Sequence, residues 1–443
     1  MAMIKDVRVY SVYNAKGDHA LKVKVQTTNS FYWATVPSGT SKGKNEAKDL
    51  PMAKITEIFP KVRKNFIGLD ESDWITADEI IEQTDNSKGY KNLGISLALG
   101  LSLAIAKAST ANELWRLRGA RERYRFPFPI GNVIGGGAHG GATTWQEFLV
   151  LPYRAKTPME ATSINYEFWK VVGEELKKQG WLLSRNIENA WTAKIDDLKT
   201  LDLLSSMAED FQVKLGIDFA ASSFWNGKEY VYKSMNKKLS PDKQLDAVTR
   251  VAEVYDLYFI EDPLHEEDFA GFAELHRRLR HRLIVGDDLY CTNIERITKG
   301  VQMKSSNAAI IKPNQYGTLL QVSKVVKFMK KNGMIPVVSH RSGETEDDWL
   351  SDLALVWDSP IIKIGNLGPD IPKHSRFAEL WNDIASKQMA KLPMYESHAE
   401  TGESGTRTGL KEEELKEIPE DASELKPEEI KEISTEDAEE EQI

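Results

Sequence analysis

The sequence predicts an α/β protein, built as a β/α (TIM-type) barrel that follows a small α+β domain. Between residues 126 and 391, an apolar run that ends in a polar residue is followed by a helix-like segment, several times over at intervals of 23 to 43 residues. This spacing suits strand–helix–strand units of about 30 residues. In residues 1–125, three successive strand-like segments precede the helical ones instead. The first region therefore predicts an α+β domain and the second predicts the barrel.

The elements of residues 1–125 follow from local patterns. Alternating apolar residues bounded by turn residues predict strands at residues 5–13, 20–27 and 31–36. Helical periodicity predicts helices at residues 55–66, 76–83 and 93–119. The N-terminal segment alternates like a strand and lacks the apolar core of a signal peptide.

The segment after Lys312 shows the helix pattern of the barrel region. One face of the predicted helix is apolar, through Leu319, Val322, Val325, Val326 and Met329. Gly333 follows and is expected to end the helix. The neighbouring apolar runs are continuous, as in a parallel sheet that is covered on both faces.

The charge is unevenly distributed along the chain. The net charge is −9, but residues 397–443 carry 17 acidic and 5 basic residues, which leaves about +3 for the remainder. A nearly neutral body predicts no nucleic-acid or membrane partner. Residues 392–443 are expected to be a disordered acidic tail. A solvated tail is favoured over a partner-binding one, and any partner is unknown.

The cysteine content indicates in which cellular compartment the protein resides. Cys291 is the single cysteine, so an intramolecular disulfide and a four-thiolate zinc site are excluded. No segment approaches the ~20 apolar residues that span a membrane. A reducing, cytoplasmic location is therefore predicted.

The apolar runs of the barrel region end in six polar residues: Asp218, Glu261, Asp287, Lys312, His340 and Lys363. In a β/α barrel the carboxyl ends of the strands converge on one face, where active sites lie. Each buried charge without a partner would lower the stability of the fold by several kcal/mol. The six residues therefore predict an active site.

The three acids and two lysines predict a particular chemistry. Asp218, Glu261 and Asp287 offer only oxygen ligands, which select a hard cation such as Mg²⁺. A lysine beside a metal charge and low-dielectric walls has its ammonium form disfavoured, so Lys312 or Lys363 is expected to act as a base. A divalent metal on a substrate carboxylate stabilises the dianion left by loss of the α-proton.

Several segments resemble the enolase family, over nearly all of residues 1–390. They are VPSGTSKG (36–43), GGGAHGG (135–141), WQEFLVLP, LGIDFAAS, IEDPL, GDDL, KPNQYGTL and SHRSGETED. The last segment is highly specific, whereas a run of glycines alone occurs in many turns. The resemblance implies an N-terminal α+β capping domain (1–125), an enolase-type barrel (126–391) and a homodimer or larger homo-oligomer.

The resemblance also implies roles for matching residues. Asp218, Glu261 and Asp287 would bind one Mg²⁺, and Ser41 would help bind a second. Lys312 would remove the C2 proton, while Lys363 would hold the carboxylate and stabilise the enolate. Residues that would assist departure of the C3 hydroxyl are Glu188 and Glu147. Residues that would bind the phosphorylated carboxylate are His139, Gln146, His340, Arg341 and Ser342, with Lys363.

Some residues depart from the family pattern. The family segment G-D-E-G-G-F is N-I-E-N-A-W at residues 186–191, which keeps Glu188 but has none of the glycines. Gly135 stands where the family has asparagine before Gly-Gly, Lys42 replaces threonine, and Lys16 replaces arginine. Since asparagine and alanine tolerate positive φ less well than glycine, the 186–191 loop is expected to take another path.

Three functions stay open at this point. The first is a hydro-lyase of glycolysis and gluconeogenesis that interconverts 2-phosphoglycerate with phosphoenolpyruvate and water, with two Mg²⁺ ions. The second is a lyase of the same superfamily acting on another carboxylate, as the altered 186–191 segment would allow. The third is a non-catalytic binding protein that uses the acidic tail; retention of the charged positions argues against it, because unneeded buried charges cost stability.

Overall fold

A computed structural model describes residues 2–39, 44–119 and 123–393 of the chain. The predictions for Ser41, Lys42 and the tail beyond residue 393 fall outside these ranges. Within them, no helix combines the length and apolar character needed to cross a membrane.

The small domain begins with an antiparallel sheet. Its strands are β1 (Ile4–Tyr13), β2 (His19–Thr27) and β3 (Phe31–Val36), paired in that order. The predicted strands are confirmed to within one residue. Alternation decides which face is covered, because Val23 and Val25 of β2 are buried while Lys22, Lys24 and Gln26 are only half-buried.

Three helices complete this domain: α1 (Met52–Val62), α2 (Trp74–Asp85) and α3 (Ile95–Ser109). The prediction of one helix over residues 93–119 was wrong. Helix α3 ends at Ser109, and Ala111 and Asn112 take left-handed φ values of 52° and 68°. The Asn112 N–H then donates to the Lys107 carbonyl (2.8 Å), a bond that closes the helix end.

The remaining elements form the barrel and its surroundings. The strands are β4 (Tyr124–Phe126), β5 (Phe128–Gly135), β6 (Glu147–Leu151), β7 (Leu182–Arg185), β8 (Trp191–Ala193), β9 (Lys214–Asp218), β10 (Tyr230–Tyr232), β11 (Lys237–Leu239), β12 (Phe259–Glu261), β13 (Leu283–Gly286), β14 (Ala308–Ile311), β15 (Ile335–Ser339), β16 (Ile361–Lys363) and β17 (Lys387–Met389). The helices are α4 (Pro158–Lys178), α5 (Asp197–Ala208), α6 (Pro241–Val254), α7 (Phe269–Arg278), α8 (Ile294–Met303), α9 (Leu319–Lys331), α10 (Trp349–Val356) and α11 (Ile371–Asp383).

Eight of these strands close into a barrel in the order β5, β6, β9, β12, β13, β14, β15 and β16, with β16 pairing back to β5. The predicted barrel is confirmed, but its sheet is not wholly parallel. Strand β6 runs antiparallel to both β5 and β9. Only residues 136–146 connect β5 to β6, and a parallel crossover needs a dozen residues or more. Hairpin β7–β8 extends the sheet beside β5.

Helix α9 confirms the predicted amphipathic pattern. All five residues of the apolar stripe are buried, and Gly333 takes a φ of 73° just after the helix end. The first turn of α9 is capped by the small domain, because the Leu320 N–H donates to Asp78 (2.8 Å) and the Leu319 N–H donates to Ser102 (2.9 Å).

Two further contacts place the small domain at the mouth of the barrel. Lys107 of α3 forms a buried ion pair with Asp347 (2.5 Å). Ser38 and Gly343 exchange backbone hydrogen bonds of 3.1 and 2.8 Å. The chain after β3 is thereby held against the loop that follows β15.

Candidate active site

The six polar strand-end residues lie at the carboxyl end of the barrel. Asp218, Glu261 and Lys363 are the last residues of β9, β12 and β16. Asp287, Lys312 and His340 directly follow β13, β14 and β15. All of them except the fully buried Glu261 line one cleft, about 90 Å³ in volume, whose walls are mostly charged or polar. Such walls suit an anionic or metal-bound ligand rather than an apolar one.

Lys363 lies among three carboxylates. Its Nζ is 3.0 Å from Asp218 Oδ2, 2.7 Å from Glu261 Oε2 and 2.9 Å from Glu147 Oε2. Burial alone would lower the pKa of Lys363, but these acids raise it well above its ordinary value. Burial and the charge of Asp218 raise the pKa of Glu261 in turn. Lys363 is therefore a fixed positive charge at the base of the cleft.

Lys312 forms an ion pair with Asp287, whose other oxygen accepts a hydrogen bond from Gln315 (3.1 Å). The expectation of a disfavoured ammonium form assumed a metal charge beside the lysine. With Asp287 as the neighbour, the pKa of Lys312 lies above its ordinary value, even though burial acts to lower it. Lys312 therefore carries its proton in this arrangement.

The same cleft also holds His139, Glu147 and Glu188. His139 ends a short 3₁₀ turn after β5, and its Nδ1 lies 3.3 Å from Glu188 Oε2 and 3.8 Å from Glu147 Oε1. Glu188 is at the tip of hairpin β7–β8 and is buried. The altered 186–191 segment thus still brings its glutamate into the cleft. Gln146, directly before β6, donates to Asp218 Oδ2 (3.2 Å).

Arg341 and Ser342 follow β15 and line the same cleft. The Nη1 atom of Arg341 lies 3.1 Å from Glu46 Oε2 and 3.2 Å from Asn314 Oδ1. Gly39 lies so close that a Cβ there would be 1.9 Å from Arg341 Nη2. The guanidinium is therefore held from several sides.

His340 is buried and paired with Asp370 through Nδ1 (2.7 Å). Burial would lower the pKa of His340, but the Asp370 carboxylate raises it to about 9. Lys373 lies 3.1 Å from the other oxygen of Asp370 and 2.8 Å from Glu344. His340 is therefore an imidazolium at neutral pH.

Two groups of acids and histidines within the described ranges have ligand atoms that all lie within 4.8 Å of one another. The groups are His139–Glu147–Glu188 and Asp262–Asp287–Asp288. The predicted set of Asp218, Glu261 and Asp287 is not one of them. The two oxygens of Asp287 contact Lys312 and Gln315. These three strand ends are nevertheless adjacent in the sheet.

The residues fit a hard cation on chemical grounds. Glu261 Oε1 is buried and has no hydrogen-bond partner among the described residues. Buried polar atoms are normally satisfied, so an oxygen of this kind is a candidate to coordinate an ion. The donors around it are carboxylates, which Mg²⁺ prefers. Asp218, Glu261 and Asp287 could therefore hold Mg²⁺.

Some site residues were missed by the sequence analysis. Asp262 and Asp288 directly follow two predicted ligands, so the pairs Glu-Asp and Asp-Asp were a usable signal. Glu46 and Asp370 carried no local signal. They reach the site from a loop of the small domain and from the turn before α11.

Comparison with protein families gives matches over both parts of the chain. The family described as "Enolase, N-terminal domain" matches residues 4–118, and "Enolase, C-terminal TIM barrel domain" matches residues 123–387.

Curated relatives agree over most of the length. Proteins named enolase are 38% identical over 376 residues in Archaeoglobus fulgidus, covering 83% of this chain and 94% of the relative. In Methanothermobacter thermautotrophicus the identity is 35% over 413 residues, covering 88% and 99%. In Picrophilus torridus it is 36% over 384 residues, covering 82% and 94%. With both domains and these relatives matched, the chain belongs to the enolase family.

Proposed function

We propose that this chain interconverts 2-phosphoglycerate with phosphoenolpyruvate and water in glycolysis and gluconeogenesis, as a phosphopyruvate hydratase. One observation carries the proposal. At the mouth of an enolase-family barrel, the buried Lys363 and the half-buried Lys312 lie among acids, and Arg341 and His340 stand beside them as further cations. This arrangement suits a small substrate with a carboxylate and a phosphate.

The metal belongs to this proposal. Asp218, Glu261 and Asp287 would hold one Mg²⁺, and Ser41 would contribute to a second. When bound, the metal supplies positive charge that stabilises a substrate carboxylate as it gains negative charge. The residues that hold it are acids on neighbouring strands, one of which keeps a buried oxygen without a protein partner among the described residues.

Lys312 would remove the proton from C2. Since its Nζ is paired with Asp287, the amine acts as a base only after that pairing is given up and the proton has left. Lys363 would bind the carboxylate and stabilise the charge that develops on it. Its three acidic neighbours keep it protonated, as this role requires.

Glu188, with Glu147 beside it, would protonate the departing C3 hydroxyl. The Glu188 and Glu147 carboxylates lie 3.3 and 3.8 Å from His139 Nδ1, so the two acids form one cluster with the histidine. Gln146 would support the set through its hydrogen bond to Asp218.

Arg341, Ser342 and His340 would bind the phosphate. A planar guanidinium suits a phosphate because it can donate two parallel hydrogen bonds. His340 adds a second positive charge at neutral pH through its pairing with Asp370.

The test is the rate of phosphoenolpyruvate formation, followed by its absorbance, in the wild type, Lys312→Ala and the control Lys327→Ala. Lys327 is an exposed lysine of α9. Loss of a general base should lower kcat by about 10²- to 10⁴-fold, while the control should keep the wild-type rate. Equal rates in all three proteins would contradict the role of Lys312.

We also propose a homodimer or larger homo-oligomer that uses the small domain. The outer face of its sheet exposes three aromatic residues: Tyr10 (40%), Phe31 (48%) and Trp33 (45%). A cluster of large exposed aromatics is characteristic of interfaces. Phe31→Glu with Trp33→Glu should convert the assembly to monomers in light scattering, and an unchanged mass would contradict this surface.

The division into residues 1–125, 126–391 and 392–443 and the cytoplasmic location remain predictions of the sequence. So do the small-molecule substrate and the lack of nucleic-acid and membrane partners.

A further inference from the structure

We propose that Asn186 is a positioning residue for Glu188, and that residue 135 is glycine because the Asn186 amide occupies the space beside it. The proposal rests on the proposed role of Glu188 as the acid for the C3 hydroxyl. It concerns a pair of positions on two elements, the end of β5 and the tip of hairpin β7–β8.

The Asn186 side chain organises the hairpin tip. Its Oδ1 accepts hydrogen bonds from the N–H groups of Glu188 (3.0 Å) and Ala190 (2.9 Å). The main chain of Asn186 also receives the Asn189 N–H (3.1 Å) and donates to the Ala190 carbonyl (2.8 Å). Asparagine closes turns in this way by replacing a backbone acceptor. The N–H of Glu188 itself is thereby fixed.

The tip is fastened to the rest of the site through Asn189. This residue has a left-handed φ of 68°, which asparagine tolerates better than most residues. Its Nδ2 donates to the Asn366 carbonyl (2.8 Å), and its own carbonyl accepts from Trp169 Nε1 (2.8 Å). Glu188 is thus held between two anchored asparagines. Its carboxylate lies 3.3 Å from His139 Nδ1.

Gly135 lies directly beneath this tip. A Cβ at Gly135 would be 2.4 Å from Asn186 Nδ2 and 3.4 Å from the Cβ of His139. The backbone of Gly135 is not in the left-handed region, so its conformation does not require glycine. The requirement is steric, and it comes from the Asn186 amide. Gly135 is also the register partner of Glu147, so a displacement here reaches both proposed acids.

The two positions depart from the family pattern in a complementary way. The pattern has asparagine at the end of this strand and glycine at the start of the hairpin tip, whereas this chain has Gly135 and Asn186. The glycine-free tip therefore does not lose Glu188, because the exchange supplies both room and a turn-forming acceptor.

The consequence for activity follows from geometry. An acid that must reach a leaving hydroxyl loses about 10²-fold in rate when displaced by about 1 Å. Substrate binding through Arg341 and Lys363 does not involve the hairpin tip. Loss of the Asn186 turn should therefore lower kcat more than it changes KM.

The experiment compares Gly135→Asn, Asn186→Gly and the double variant in the full-length protein. Each single variant should lower kcat for 2-phosphoglycerate by about 10- to 100-fold with KM within about threefold. The double variant should recover to within about fivefold of the wild type, because its two changes are coupled. The proposal would be overturned if the kcat of the double variant were no higher than the lower kcat of the two single variants. A wild-type kcat in Asn186→Gly would also overturn it.

Two controls make the result specific. Asn226 forms a similar turn remote from the site, through its Oδ1 and the N–H groups of Lys228 (2.9 Å) and Glu229 (2.8 Å), so Asn226→Gly should keep kcat. Thermal melts check folding. If Gly135→Asn does not fold, Gly135→Ala with and without Asn186→Gly gives the same comparison.

Glu188→Gln distinguishes the positioning role of Asn186 from the acid role of Glu188. A large loss of kcat in Glu188→Gln with none in Asn186→Gly overturns the positioning role alone. Wild-type kcat in Glu188→Gln would instead overturn the proposed role of Glu188.

Discussion

The Glu46 carboxylate receives hydrogen bonds from both terminal nitrogens of the Arg341 guanidinium. The distances are 3.1 Å from Nη1 and 3.2 Å from Nη2 to Oε2. Both side chains are buried, at 8% and 5% exposure. The arginine proposed to bind phosphate therefore already faces an anion, supplied from the small domain. An incoming phosphate must share the guanidinium with Glu46 or displace it.

Glu46→Gln should accordingly bind anions more tightly. The amide keeps the shape and one acceptor but removes the repulsion between a carboxylate and a phosphate in a partly desolvated site. We expect the Kd of inorganic phosphate, measured by calorimetry, to fall by about tenfold, which is about 1.4 kcal/mol. Glu295→Gln is the control, since Glu295 forms an exposed pair with Lys88. A Kd that is unchanged or higher in Glu46→Gln would contradict competition between Glu46 and phosphate.

The charge of His340 should depend on Asp370. Its pKa of about 9 exceeds the ordinary value, so the imidazolium is present below that pH and is lost as pH rises through it. Asp370→Asn removes the strongest raising charge, so the pKa of His340 should fall toward its ordinary value of about 6.5, with burial lowering it and Glu188 and Glu344 still raising it. NMR titration of the imidazole measures this directly.

The functional consequence of Asp370→Asn is a change in the pH dependence of KM. Between pH 6.5 and 8.5 the variant should lose affinity for 2-phosphoglycerate as pH rises, while the wild type should keep it. Asp383→Asn, an exposed change at the end of α11, serves as the control. Parallel KM profiles in Asp370→Asn and the wild type would rule out a charged His340 in phosphate binding.

Asp78 should make the protein less stable as the pH rises. Burial raises its pKa from 3.8 to about 7. The folded state therefore binds more protons than the unfolded state between about pH 4 and 7, and stability falls over that window by up to a few kcal/mol. Asp78→Asn keeps an oxygen for the Leu320 N–H and cannot ionise.

Urea denaturation at pH 5 and pH 8 checks this prediction. The difference in the free energy of unfolding between the two pH values should be smaller in Asp78→Asn than in the wild type. Asp197, whose pKa is raised to about 6 by burial, acts in the same direction and remains in the variant. Asp383→Asn, the exposed change at the end of α11, is again the control and should behave as the wild type. If the free energy of unfolding changed with pH as much in Asp78→Asn as in the wild type, Asp78 would not be a neutral carboxyl in the folded protein.

Gly100 should resist replacement by alanine although it lies in helix α3. Alanine is favoured over glycine in a helix by about 1 kcal/mol, but a Cβ at Gly100 would lie 2.6 Å from Val23 Cγ2. Overpacking of this kind costs about 1–3 kcal/mol. The melting temperature should therefore fall in Gly100→Ala and should recover in part when Val23→Ala is added. If Gly100→Ala were more stable than the wild type, β2 would be able to move away from the added methyl group without loss of stability.

Much of the barrel could be predicted from the sequence because its determinants are local. Asp218, Glu261 and Lys363 each end an apolar run, and burial on both faces of a strand requires such runs. The stripe of α9 was likewise predictable, since 3.6-residue periodicity is a property of neighbouring residues. The left-handed pair Ala111 and Asn112 was missed, because nothing in the preceding apolar pattern marks where α3 stops.

Local residue patterns specify which side chains stand at the strand ends and what chemistry those side chains allow. How these side chains are partnered depends on the folded chain: Glu46 with Arg341, His340 with Asp370, and Asn186 with Gly135. The partners are 295, 30 and 51 residues apart in the chain. Such pairs form only when the barrel closes and the small domain docks, since packing and electrostatic fit across distant segments are not properties of any local stretch.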